Sequence, residues 1–127
     1  MNSVLDASAV LAYLQGEAGG PRVEQAIDDG ASISVVNMVE VVTKLIEGGL
    51  LPETARRQFD RLGVEVVPLD AELAYQAAFL RPSTRPAGLS LGDRCCLALA
   101  EQLGVPALTA DRAWARLQLP MTVDVIR

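Results

Sequence analysis

The sequence predicts an α/β fold: a central parallel sheet covered by helices on both faces, in a three-layer α/β/α arrangement. Short runs rich in β-branched residues alternate with longer runs of helical periodicity, the signature of strands joined by crossover helices. The connections between them are brief and marked by Gly or Pro. The 127 residues, half of them apolar, supply one sizeable core with no repeat, low-complexity tract or linker. Residues 1–127 therefore read as one domain.

Taken in order, residues 2–5 start a first strand, and Ala7 to Leu14 shows helical spacing. Gly16 to Pro21 reads as a loop before a helix from about Arg22 to Asp29, which Gly30 ends. Ser32 to Val36 is a second strand, and Asn37 opens a helix that the pair Gly48-Gly49 stops. Pro52 begins a helix to Leu62, Val64 to Val67 is a third strand, and Asp70 to Leu80 is helical. Arg81 to Gly88, with two prolines, reads as a loop. Ser90 to Leu103 is a helix almost wholly apolar from Cys95 to Ala100, which places it deep in the core. Pro106 to Thr109 is a fourth strand, Asp111 to Leu117 a short helix and Thr122 to Ile126 a last strand.

Composition excludes much chemistry. There is no histidine, which removes Ser-His-Asp and Cys-His catalysis, histidine zinc sites and a histidine acid–base route through a cyclic phosphate. Any catalysis must come from carboxylates, hydroxyls, Lys44, arginines or a metal. Cys95 and Cys96 are adjacent on a helix, where neighbours point apart, so they form no disulfide framework and lack zinc spacing. They read as small buried apolar residues. No apolar run reaches the ~20 residues of a membrane span, and the start of the chain lacks the pattern of a signal peptide, so a cytoplasmic protein is expected. The net charge of −5 argues mildly against nonspecific nucleic-acid binding, although bound divalent cations would offset clustered negative charge.

Ligands of open α/β sheets bind beyond the carboxyl ends of the strands. Four acids fall at that edge: Asp6 after the first strand, Glu40 in the first turn after the second, Asp93 in the first turn of the buried helix, and Asp111 after the fourth strand. Each has a plain explanation. Asp6 and Asp111 fit helix N-caps, and Asn37 to Glu40 and Ser90 to Asp93 both fit the capping box. Asp70, which opens a helix in the same way, reads as a cap and no more. Carboxylates sharing a pocket would repel one another unless a cation neutralised them, and oxygen donors suit Mg²⁺, Mn²⁺ or Ca²⁺. On pattern alone, caps and metal site both stand.

The segments Val4 to Val10, Ser34 to Val41, Leu89 to Arg94 and Leu108 to Trp114 resemble, in order and spacing, the successive motifs of PIN-domain ribonucleases. Within that family the chain is similar to VapC, the toxin of VapBC toxin–antitoxin pairs. The resemblance implies a PIN-like three-layer domain and a metal-dependent endoribonuclease acting on structured RNA such as tRNA or rRNA. It carries the family's acidic positions onto Asp6, Glu40, Asp93 and Asp111, as ligands of Mg²⁺ or Mn²⁺ and catalytic residues. Ser8, Asn37 and Thr109 fall where small polar residues support the site or touch substrate. A cognate VapB-like antitoxin and a homodimer contact are implied as partners.

Ten of the eleven basic residues are arginine, which pairs bidentately with phosphate. Arg94, Arg112 and Arg116, close to proposed ligands, are candidates for RNA backbone contacts, against the reading that they are solvated or ion-paired. Trp114 reads as core rather than as a platform for a base. The helices from Asn37 to Gly48 and from Pro52 to Leu62 are expected to wall the antitoxin groove. Two rival classes remain, a phosphotransfer protein with Asp6 as acceptor and a non-catalytic binding module. The first lacks the second Asp expected beside Asp6.

Overall fold

The computed structural model describes residues 2–127, so Met1 lies outside it. Its elements are β1 (Val4–Leu5), α1 (Ala7–Leu14), α2 (Gly20–Asp28), β2 (Ser32–Ser34), α3 (Val35–Glu47), α4 (Pro52–Asp60) and β3 (Glu65–Val67). There follow α5 (Ala71–Phe79), α6 (Arg81–Thr84), α7 (Leu91–Leu103), β4 (Ala107–Thr109) and β5 (Val123–Val125). Two 3₁₀ turns, Arg85–Ala87 and Arg112–Arg116, complete them.

All five strands are parallel, in the order β3-β2-β1-β4-β5. Strand residues alternate between two cores, as a pleated sheet requires. Val4 and Ala107 face a cluster with Leu73 and Ala77 of α5, the Cys95–Ala100 run of α7, and Trp114. Leu5 and Leu108 face the opposite cluster, built from α1, α2, α3 and α4 through Val10, Val23, Val41 and Phe59. The chain lays β1, β2 and β3 outward in one direction and then returns past β1 to add β4. With right-handed crossovers that reversal moves the later helices to the other face of the sheet. The expected three-layer α/β/α architecture is the one observed, and the buried pair Cys95 and Cys96 is free of disulfide.

Two local expectations are corrected. The second strand ends at Ser34, whose hydroxyl caps α3 by accepting from the Val36 N–H at 3.2 Å. Asn37 is therefore inside the helix, and Glu40 belongs to its second turn, not to a first-turn capping box. Two valines had hidden this boundary, because β-branched residues read as strand. The segment Arg81 to Gly88 is not a loop but two helical turns, each carrying a proline at its start where the missing N–H removes no helical bond.

Candidate active site at the carboxyl edge of the sheet

β1 and β4 are neighbours, paired Leu5 to Leu108, and the strand order reverses between them. Asp6 leaves β1 at this switch point and is only 3% exposed. One carboxylate oxygen accepts the Ala9 N–H at 2.8 Å, which caps α1, and the Ser8 hydroxyl at 2.8 Å. The other accepts the Thr109 hydroxyl at 2.6 Å. Each hydroxyl also accepts a backbone N–H from the end of β4: Ala110 to Ser8 at 2.9 Å and Asp111 to Thr109 at 3.0 Å. Ser8 and Thr109 thus weld the two strand ends to one carboxylate. Burial pushes the Asp6 carboxyl up to about 6, against the lowering effect of its hydrogen bonds from Thr109, Ala9 and Ser8, and the Asp93 charge pushes the same way.

Glu40 and Asp93 approach from α3 and α7. Asn37 is 1% exposed and donates through Nδ2 to Glu40 Oε1 at 2.8 Å and to the Gly92 carbonyl at 3.1 Å, tying the two helices together. Its Oδ1 is buried without a donor, an arrangement that costs about 1–3 kcal/mol. Asp93 forms the expected capping box, accepting the Ser90 N–H at 2.9 Å while Ser90 accepts the Asp93 N–H at 3.2 Å. Beneath these groups lies the fully buried Cys96 thiol, raised by burial and by the charges of Asp6, Asp93 and Glu40. Asp111 is exposed and caps the following 3₁₀ turn, accepting the Ala113 N–H at 2.9 Å. Among the described residues no three acidic or thiol side chains stand close enough to hold one ion between them.

The family model of the PIN domain matches residues 3–119, which include all four carboxylates. The chain belongs to the PIN-domain family. It is 33% identical over 115 residues to VapC ribonuclease Mb2780c of Mycobacterium bovis, covering 83% of this chain and 87% of the relative. The same identity and coverage hold for ribonuclease VapC42 of Mycobacterium tuberculosis. These similarities assign this PIN domain to the VapC branch. Among solved structures, VapBC2 from Rickettsia felis bound to a promoter DNA fragment superposes with a TM-score of 0.73 at 15% identity, covering 98% of each chain. VapBC-5 from Mycobacterium tuberculosis gives 0.63 at 22% identity, covering 99% and 98%. At such identities the likeness speaks for the PIN fold.

The donor set in this PIN domain suits a hard divalent cation, because every candidate ligand is a carboxylate oxygen. Among the described residues none of the four carboxylates is ion-paired to Lys or Arg. The arginines differ from one another. Arg94 is half-buried and donates to the Ala77 carbonyl of α5 at 3.1 Å, which commits part of its guanidinium to packing. Arg112 is exposed and donates through Nε to the Arg127 carbonyl at 3.1 Å, and Arg116 is exposed. Trp114 is core, fully buried. Between α3 and α4 a groove of about 400 Å³ is lined by the apolar Met38, Val39, Val42 and Phe59 and by Thr43, Arg56 and Asp60. Gly92, on which the sequence reading placed no weight, touches the site directly. A Cβ there would stand 2.5 Å from both Glu40 carboxylate oxygens. The available signal was a glycine in the first turn of a buried helix, where alanine is favoured.

Proposed function

We propose that the chain is a Mg²⁺- or Mn²⁺-dependent endoribonuclease, the toxin of a toxin–antitoxin pair. The observation that carries the reading is the Asp6 carboxylate, buried at the switch point of a PIN fold and raised to about 6 with no basic partner among the described residues. A buried carboxylate of this kind is destabilised in its charged form until a cation arrives. Asp6, Glu40 and Asp93, too far apart in the metal-free chain for three of them to share an ion, would draw together to hold the metal, with Asp111 bound directly or through water. When bound, the metal would lower the pKa of a coordinated water and neutralise charge on the phosphodiester. Ser8 and Thr109 hold Asp6 in place, and Asn37 holds Glu40. Arg112 and Arg116 would meet the RNA backbone, while Arg94 contributes at most its uncommitted nitrogens.

The groove between α3 and α4 would take a segment of a VapB-like antitoxin, whose Arg or Lys would reach the carboxylates in competition with metal and RNA. Exposed Tyr75 and Phe79 on α5, stacked 6.0 Å apart, offer apolar surface for a homodimer contact. The chain freed of antitoxin should cleave RNA when Mg²⁺ or Mn²⁺ is added and stop when the metal is chelated. Asp6→Asn, with its fold checked by circular dichroism, should abolish cleavage. Equal cleavage by that variant would refute the mechanism.

A further inference from the structure

We propose that Gly92 is a positioning residue whose missing side chain is the seat of the Glu40 carboxylate. The inference rests on the reading of Glu40 as a metal ligand. Glu40 lies on α3 with a long flexible side chain, and Gly92 lies in the first turn of α7, one residue before Asp93. The Glu40 carboxylate occupies the space in which any other residue at 92 would carry its Cβ, with both oxygens 2.5 Å from that point. Asn37 closes the arrangement by donating to Glu40 Oε1 and to the Gly92 carbonyl with the same amide. Gly92 therefore serves Glu40 twice, through empty space and through a backbone acceptor that orients Asn37. It fixes the distance between a carboxylate on α3 and Asp93 on α7, two helices far apart in the sequence.

The collision partner is the tip of a flexible side chain, so Gly92→Ala displaces Glu40 more readily than it disrupts α7. Alanine also favours helix. Gly92→Ala should accordingly melt at or above the wild-type temperature yet bind Mn²⁺ about 10–100-fold more weakly, the usual penalty for a lost supporting contact. In the Glu40→Ala background the same substitution should cause no further loss. A second readout needs no metal: the side-chain amide resonance of Asn37, measured by NMR in metal-free protein. In Gly92→Ala it should move to its position in Glu40→Ala.

An unmoved amide resonance with unchanged Mn²⁺ affinity would overturn the proposal. So would equal weakening by Gly92→Ala in the presence and absence of Glu40, which would assign the effect to Asp93 or to the helix itself. If the wild-type protein took up no Mn²⁺, the metal-dependent function would fall, and the Asn37 resonance alone would decide the role of Gly92. Should Gly92→Ala fail to fold, recovery of the fold in the double variant would assign the clash to Glu40, and non-recovery would reject it.

Discussion

At the scale of the residue, Asp6 carries two duties, of which the sequence pattern shows only the first. It caps α1 through Ala9, as the sequence reading allowed, and it is also the buried carboxylate to which β1 and β4 are tied by Ser8 and Thr109. Its folded-state pKa of about 6, against 3.8 when exposed, makes the metal-free fold hold a proton more tightly than the unfolded chain does. The stability that Asp6 contributes is therefore full below about pH 4 and is lost as pH rises through 6, by roughly 3 kcal/mol if the shift acts alone. Thermal melts in chelator should show this decline, and Asp6→Asn should flatten it and melt higher than wild type at pH 7.5. Added Mn²⁺ should raise the wild-type melting temperature above pH 6 and much less below it, because a ligand carboxyl must lose its proton to bind. The hydroxyls of Ser8 and Thr109 are marked as candidates by the family resemblance. That both bind the same carboxylate depends on β1 and β4 being neighbours, and no local pattern states which strands pair.

At the scale of the element, most helices were legible because their ends carry chemistry. Asp70 and Ser90 cap α5 and α7 where expected, and glycines or prolines mark most of the breaks. Ser90→Ala removes the acceptor for the Asp93 N–H and should cost about 1 kcal/mol in urea unfolding. α3 starts two residues earlier than the pattern predicts, because Val35 and Val36 look like strand while Ser34 ends the strand and caps the helix at once. Asn37 is thereby a buried strut under Glu40 and not a cap. Asn37→Ala should leave stability within about 1 kcal/mol of wild type, because the lost hydrogen bonds are offset by removal of a buried oxygen that has no donor. The same variant should weaken Mn²⁺ binding measured by calorimetry. Such a pairing of small stability change with lost binding is expected where a buried polar group serves a site rather than the fold.

At the scale of the molecule, one reversal in strand order creates the candidate site. It brings the ends of β1 and β4 together at the edge where α1, α3 and α7 all present their N-terminal turns. On the flank of α3 away from Asn37, the groove against α4 leaves Val39 56% exposed, a large apolar side chain with water as its neighbour. Val39→Glu should leave the melting temperature of the isolated chain nearly unchanged and abolish co-purification with a co-expressed antitoxin. Retention of the antitoxin would move its docking surface elsewhere. The sequence by itself determined the alternation of elements, the burial of α7 and the absence of histidine chemistry. Periodicity, capping residues and composition are local properties, and they suffice for that. Only the tertiary structure decided that Asp6 is desolvated, that Arg94 is partly spent on α5, that Asp111 remains in solvent, and that Glu40 fills the space above Gly92. Each of these depends on which side chains meet across elements distant in the chain, and that is set by close packing rather than by local pattern.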